Sequence, residues 1–187
     1  MGVVKIGPWG GEGGRDWDIP TTPLRLEAIT VCSSPAAVDA ISFRYWDEQG
    51  KKHNVGPWGG NGGDPYVIRL EPSEFLKEVS GTFAYMGTQP TDAVTSLTFV
   101  TNRRKHGPFG DADGTPFSVP VVHGGGSIVA LFGRGWDYID AIGVYVRACT
   151  PHPGVPEAKA KPRKRNRKKY KNVRMARPEC SVKPSGG

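Results

Sequence analysis

The sequence has few cysteines and no long apolar run. Its three cysteines, Cys32, Cys149 and Cys180, are odd in number and match no zinc-site spacing, so reduced thiols are favoured over disulfides or metal ligands. No apolar stretch approaches the ~20 residues needed to cross a bilayer, and the N-terminus lacks the apolar core of a secretory signal. We therefore expect a soluble protein of the cytoplasm, the nucleus or both, without a membrane partner.

The sequence also has no recognisable catalytic pattern. Four histidines, His53, His106, His123 and His152, fall in segments predicted to be turns or tail, and no G-x-S-x-G or H-E-x-x-H motif is present. We expect no enzymatic activity, no cofactor and no metal site.

Charge is distributed unevenly along the chain. Residues 1–150 carry 13 Lys and Arg against 16 Asp and Glu, a net charge of −3, whereas residues 151–187 carry 12 against 2, a net charge of +10. The second segment has few apolar residues with which to offset its ordering entropy. The composition predicts a folded body over residues 1–150 and a disordered basic tail over residues 151–187.

The tail contains a compact basic run, "KPRKRNRKKYK", at residues 161–171. Three interpretations of this run are considered: a nuclear localisation signal bound by an import receptor, an electrostatic contact to nucleic acid, or a solvated tail without a partner. The eight basic residues are Lys161, Arg163, Lys164, Arg165, Arg167, Lys168, Lys169 and Lys171.

The body is dominated by an internal repeat. "GPWGGEGGRDWDI" at 7–19, "GPWGGNGGDPYVI" at 56–68 and "GPFGDADGTPFSV" at 107–119 are three versions of one phrase, about 50 residues apart. Neither of the first two carries the Lys-Ser/Thr that closes a phosphate-binding loop. The glycines therefore require an explanation other than nucleotide binding.

Strand-like alternation recurs between the phrases. A run such as Ala40-Ile41-Ser42-Phe43-Arg44-Tyr45 has the period of two that marks a half-buried strand. Each unit predicts four antiparallel strands, and three such sheets about a common axis would bury one face each. Residues 70–81, "LEPSEFLKEVSG", are interrupted by Pro72 and predict a turn followed by a strand rather than a helix. The fold class is therefore all-β.

The phrases "GPWGGxGG", "GPFG…GTPFSVP" and "FGRGWDYIDAIGVYV" resemble those of the jacalin-related plant lectins, from about Val3 to Arg147. The resemblance implies a β-prism of three four-stranded Greek-key sheets with pseudo-threefold symmetry, without enzymatic activity or metal. It also implies that a sugar binds between a Gly-Gly loop and a ligand loop of the form G-x-x-x-D.

By that resemblance the carbohydrate site comprises one carboxylate and several backbone amides. A carboxylate can accept two vicinal sugar hydroxyls, and the family pattern gives this role to Asp140. Gly14 and the ligand-loop residues would donate backbone N–H groups. For Asp140 alone, an Asx turn is the competing explanation. The implied donors are Gly14, Asp137, Tyr138 and Ile139.

One position departs from the family pattern. Trp136 stands where the ligand loop usually has glycine; if that position required φ > 0, the substitution would cost about 1–2 kcal/mol. The loop would then be reshaped. Trp136 could stack on a sugar or pack against the prism.

The repeats also predict a possible second carbohydrate site. Asp39-Ala40-Ile41 aligns with Asp140-Ala141-Ile142, which gives Asp39 and Val38 a partner loop at Gly62-Gly63. In the middle unit the aligned residue is Thr95, so a third site lacks its carboxylate.

The resemblance further suggests the sugar class. Galactose-preferring members use a free amino terminus on the glycine-rich segment, but here residues 1–13 precede Gly14 unbroken. Mannose- or glucose-type glycans are therefore expected, with a homodimer as a possible assembly. The alternative is a β-prism interaction or stress-signalling adaptor with weakened sugar binding.

Overall fold

A computed structural model describes residues 2–87, 89–119 and 126–148. In these ranges all regular secondary structure is β-strand, which confirms the all-β class. No helix in the described part of the chain is long and apolar enough to cross a membrane. The basic run, Cys149, Cys180, His123 and His152 lie outside the described residues.

Twelve strands occur in the described ranges, all joined by antiparallel pairing. They are β1 (Val3–Gly10), β2 (Arg15–Trp17), β3 (Pro23–Ser33), β4 (Val38–Asp47), β5 (Lys52–Gly59), β6 (Asp64–Arg69), β7 (Leu76–Tyr85), β8 (Asp92–Thr101), β9 (Lys105–Gly110), β10 (Thr115–Ser118), β11 (Ser127–Gly135) and β12 (Ile139–Arg147).

The strands form a four-stranded sheet and an eight-stranded sheet. The four-stranded sheet has the order β5-β4-β3-β6; the eight-stranded sheet has the order β1-β12-β11-β7-β8-β9, with β2 on β11 and β10 on β7. One residue pair, Ile128 with Leu76, joins β11 to β7. The larger sheet thus consists of two groups of four strands linked by a single pair.

The three phrases begin within strands that have equivalent pairing. Strands β1, β5 and β9 pair with β12, β4 and β8, which brings Gly10 opposite Ala141, Gly59 opposite Ala40 and Gly110 opposite Ser96. Each pairing contains a register irregularity beside the Gly-Pro-aromatic segment. The sequence repeat is therefore also a structural repeat.

The core lies on the apolar face of the alternating strands. In β4, Ile41, Phe43 and Tyr45 are buried while Arg44 between them is exposed, as the period of two predicts. Aromatic residues of different phrases pack together: Trp17 stacks on Trp58 with ring centroids 5.7 Å apart. The repeats therefore share one hydrophobic core.

Two sequence expectations concern short segments. Residues before β7 form a turn in which the Glu74 N–H donates to the Glu71 carbonyl at 2.9 Å, as predicted for residues 70–81.

The placement of His53 and His106 in turns was wrong, because they lie in β5 and β9. The turn before β5 is closed within four residues by Asp47, which accepts the N–H groups of Gln49 and Lys51, so His53 already falls in the strand.

Candidate carbohydrate-binding site

The glycine loop of each phrase is bonded to the start of a neighbouring strand. The Gly11 N–H donates to the Asp140 carbonyl at 2.9 Å, and the Gly60 N–H donates to that of Asp39 at the same distance. In the third phrase the Asp111 N–H donates to the carbonyl of Thr95 in the middle unit, also at 2.9 Å. The three positions aligned from the sequence therefore occupy equivalent places.

Gly13 and Gly14 lie directly against the Asp140 carboxylate. Gly14 has φ of 71°, in the region that favours glycine. A Cβ at Gly14 would stand 2.5 Å from Asp140 Oδ2, and one at Gly13 would stand 3.2 Å from the same atom. Any side chain at Gly14 would collide with the carboxylate, so glycine is required for this approach.

The Asp140 carboxylate is covered by a side chain from another repeat. Gln89, between β7 and β8, donates its Nε2 hydrogen to Asp140 Oδ1 at 2.6 Å, and Asp140 is only 1% exposed. Burial raises the Asp140 pKa above its usual range, although the Gln89 hydrogen bond and the Arg134 charge oppose the shift. The carboxylate is thus a buried acceptor held by an amide.

Arg134 fixes the glycine loop from the other side. Its Nε donates to the Gly13 carbonyl at 3.1 Å, and its Nη1 lies 3.1 Å from Asp16 Oδ1. Because Arg134 is on β11 and Gly13 follows β1, this bond ties together the first and last segments of the body.

A cavity of about 330 Å³ opens between these elements. Tyr138 and Ile139 are not among its lining residues; Ile139 is buried in the core, so only its backbone could meet a ligand. The lining residues are Gly13, Gly14, Gln89, Pro90, Thr91, Trp136, Asp137 and Asp140.

Trp136 occupies its position without unusual backbone geometry. No non-glycine residue in the described ranges has positive φ, so the expected cost at Trp136 does not arise. Its N–H donates to the Tyr138 carbonyl at 3.1 Å, its side chain is 57% exposed, and the Arg15 guanidinium lies 4.7 Å from its ring centroid. The indole is therefore presented at the edge of the cavity.

The structure also brings Asp39 and Gly63 together. Gly63 has φ of 74°, and a Cβ there would stand 2.7 Å from Asp39 Oδ2. That oxygen accepts the Ser34 N–H at 2.6 Å, so a backbone amide takes the place that Gln89 takes at Asp140. The Val38 side chain is buried, which leaves only its backbone for a ligand.

The third position is closed by its own hydrogen bonds. The Thr95 hydroxyl donates to the Asp113 carbonyl at 2.6 Å and lies 2.8 Å from the Thr82 hydroxyl. No carboxylate stands at this position, as the sequence alignment of the repeats indicated.

Sequence reasoning missed Gln89, Thr91 and Arg134. Gln89 and Thr91 belong to the middle repeat, and no pattern in the sequence connects them to Asp140. Arg134 could have been suspected from its place beside the ligand loop. In the described part of the chain, no group of three or more His, Cys, Asp or Glu side chains could hold a metal ion.

Comparison with known proteins gives the same family along most of the chain. A family model described as a jacalin-like lectin domain matches residues 6–145. Horcolin of Hordeum vulgare is 44% identical over 144 residues, which are 76% of this chain and 96% of horcolin. A mannose/glucose-specific lectin of Parkia pendula is 36% identical over 154 residues, 80% of this chain and 33% of that lectin.

Solved structures agree with this result. AcmJRL, a mannose-binding jacalin-related lectin from Ananas comosus, has a TM-score of 0.74 at 44% identity and covers 80% of this chain and 100% of its own. The artocarpin–mannotriose complex has a TM-score of 0.70 at 34% identity and covers 79% and 99%. The chain belongs to the jacalin-like lectin family.

The buried Asp140 carboxylate predicts a stability gain on neutralisation. Its folded-state pKa is raised, so folding carries no charge penalty below the unfolded pKa of ~3.9, and stability is lost as pH rises through the folded pKa. Asp140→Asn keeps an acceptor for Gln89 but never ionises. Urea unfolding should show this variant more stable than wild type at pH 7 and equal to it near pH 3. If Asp140→Asn is instead less stable than wild type at pH 7, the raised pKa of Asp140 is contradicted.

Proposed function

We propose that this protein binds mannose- or glucose-type glycans in the cavity between the Gly13–Gly14 loop and the ligand loop. Asp140 accepts two sugar hydroxyls, O4 and O6, and Gly14 donates its N–H to O3. Backbone N–H groups of the ligand loop donate to the ring side. The donors in that loop are Asp137, Tyr138 and Ile139.

The observation that carries this proposal is the convergence of a carboxylate and a glycine backbone on one cavity. Asp140 comes from β12 and Gly14 follows β1, yet a Cβ at Gly14 would touch the carboxylate. This close approach exposes backbone amides beside a charged acceptor, which is the set of groups that vicinal hydroxyls require. The mannose-binding relatives support the choice of sugar.

The proposed activity is binding without catalysis. The named relatives are lectins, and the cavity presents one carboxylate pair, Asp137 and Asp140, without a nucleophile–base arrangement among its lining residues. Weak monosaccharide affinity, on the order of millimolar or ~−4 kcal/mol, would make multivalency valuable. A homodimer or the second site at Asp39, with Val38 and Gly63, could provide it.

The same repeat supports a β-prism of three four-stranded Greek-key sheets with pseudo-threefold symmetry. The single Ile128–Leu76 pair is the one link between two groups of four strands. The three backbone bonds from the glycine loops, each 2.9 Å, argue for three equivalent units.

Removing the Asp140 carboxylate should abolish binding at the principal site. Two hydrogen bonds to a charged acceptor, each worth about 1.5–3 kcal/mol, are lost in Asp140→Ala, which puts a millimolar ligand beyond detection there. Calorimetric titration with methyl α-mannoside measures this. Asp39→Ala is the matched comparison, because it removes the carboxylate of the possible second site only and leaves the principal site intact. Unchanged binding in Asp140→Ala would refute the site.

Gln89 provides the opposite test of the same site. Its amide occupies Asp140 Oδ1 in the free protein, so a sugar hydroxyl must displace it or share that oxygen. Gln89→Ala should therefore raise mannoside affinity several-fold in the same titration. A fall in affinity would show that Gln89 contacts the sugar instead.

The adaptor alternative depends on Trp136. We expect Trp136→Gly to weaken mannoside binding by roughly threefold to tenfold, since an exposed indole at the cavity edge can stack on a sugar for about 0.5–1.5 kcal/mol. Trp136→Phe retains an aromatic face and should keep most of the affinity. A sharp rise in Trp136→Gly would favour the adaptor, in which the indole has displaced sugar binding.

The basic run at residues 161–171 is proposed to direct nuclear import. The run is compact and is flanked by Pro162, and Tyr170 is the only aromatic among its charges, which makes nucleic-acid contact the second choice. A fluorescent fusion should enter the nucleus only with residues 155–187 present. Cytosolic retention of the full chain would exclude import, and salt-independent retention on nucleic acid would exclude the electrostatic contact.

A further inference from the structure

A second cavity, also about 330 Å³, lies on the outer face of the four-stranded sheet β5-β4-β3-β6. We call it the basic groove. No part of it overlaps the residues around Asp140. Its polar lining side chains are those of Thr30, Ser42, Arg44, Asn54 and Arg69, and the rest of the lining is apolar.

Strand register places two arginines on either side of an alanine. Arg44 of β4 pairs with Ala28 of β3, and Ala28 pairs in turn with Arg69 of β6. Adjacent strands are about 4.8 Å apart, so the two arginine Cα atoms stand roughly 10 Å apart with only a methyl group between them. Both arginine side chains line the groove.

The next outward-facing positions supply hydroxyl groups. Thr30 pairs with Ser42, and both line the groove. Among the described residues, neither hydroxyl has a hydrogen-bond partner, and the Arg69 side chain forms no hydrogen bond or ion pair. The Arg44 Nε donates to Asn54 Oδ1 at 2.9 Å, which leaves its other guanidinium hydrogens facing the groove or Glu27.

The surrounding face is strongly positive. Besides Arg44 and Arg69 it carries Arg25 and Lys52, against one carboxylate, Glu27, that accepts from Lys52 Nζ at 3.0 Å and lies 3.9 Å from Arg44 Nη1. Four cations against one anion leave an excess of positive charge and of hydrogen-bond donors. Such a surface favours an anionic ligand.

Trp46 on this face already contacts two cations. Lys52 Nζ lies 4.7 Å, and the Arg25 guanidinium 6.0 Å, from the Trp46 ring centroid. Trp46 is therefore not free to stack with a nucleobase, which single-strand nucleic-acid sites require. A small oxyanion held by guanidinium forks and hydroxyls fits the groove better.

We propose that the basic groove binds an oxyanion ester carried on a sugar, either a sulfate or a phosphate ester. Arg44 and Arg69 would clamp the ester oxygens from two sides, while Thr30 and Ser42 donate hydroxyl hydrogens from the floor. The oxyanion part of this inference does not rest on the mannose site, because the groove lies on a different set of strands, whereas the sugar carrier rests on the proposed glycan binding. It gives the protein a second determinant for acidic glycans.

Amide NMR titration of the full chain tests the groove. Galactose 6-sulfate and galactose 6-phosphate are the probes, with unesterified galactose as the neutral comparison. At least one ester should produce saturable shifts in the amides of Ala28, Thr30, Ser42 and Arg69, while galactose leaves them unchanged. The ester with the lower Kd identifies the source of the oxyanion.

Variants separate this site from general charge attraction. Arg69→Gln should weaken ester binding about tenfold, and Thr30→Val, which changes no charge, should weaken it several-fold. Lys105→Gln removes an exposed cation from β9 and is the matched control, so its Kd should equal that of wild type. Asp140→Ala should also retain ester binding, which makes failure here distinguishable from failure of the mannose site.

Several outcomes would overturn the proposal. They are the absence of shifts at these amides with both esters, shifts confined to the Gly13–Asp140 cavity or to residues 161–171, and equal effects of Arg69→Gln and Lys105→Gln. If a single-stranded oligonucleotide binds more tightly than either ester and shifts the same amides, the ligand of the groove is nucleic acid and not an acidic glycan. Well-dispersed amide spectra of the variants confirm that each is folded.

Discussion

The approach of a glycine backbone to a buried carboxylate is the constraint on which the candidate site depends. The Gly11 N–H bonds the Asp140 carbonyl, and Gly14 lies where a methyl group would meet the carboxylate. Because Asp140 lies near the start of β12 and Gly14 follows β1, this contact forms only when the two ends of the body have paired. Ligand chemistry and closure of the fold therefore rest on the same hydrogen-bond ladder.

Burial of that carboxylate opposes folding while it prepares binding. Burial raises the Asp140 pKa, and the Gln89 amide and the Arg134 charge offset part of this cost. The glycine loop is held by Arg134 in the same arrangement. The carboxylate and the glycine loop are therefore both held by hydrogen bonds in the free protein, which reduces the conformational entropy lost on binding.

The all-β class and the repeat could be predicted, because each follows from a period or a spacing within the sequence. The juxtaposition of Asp140 with Gly14 was implied only by the resemblance to the jacalin-related lectins. Gln89 and Thr91 could not be predicted, since they reach the cavity from another repeat through packing that leaves no trace in local sequence. The strain expected at Trp136 was inferred from a family pattern that has glycine there. The strain does not arise, because Trp136 does not have positive φ. The single pair of Ile128 with Leu76 joins two groups of four strands into one sheet. Without this pair the strands would form three sheets, and no pattern in the sequence predicts the pair.

The antiparallel pairing of β1 with β12 determines how the body responds to a mechanical load. Val3 lies opposite Arg147 at one end of this ladder, and Gly10 lies opposite Ala141 at the other. A force that pulls residues 3 and 147 apart acts in the unzipping geometry, so the hydrogen bonds are loaded one after another. In the shear geometry they would be loaded together. The pair beside the Asp140 cavity is the last in this ladder to be loaded, so the cavity is shielded from tension at the ends of the body.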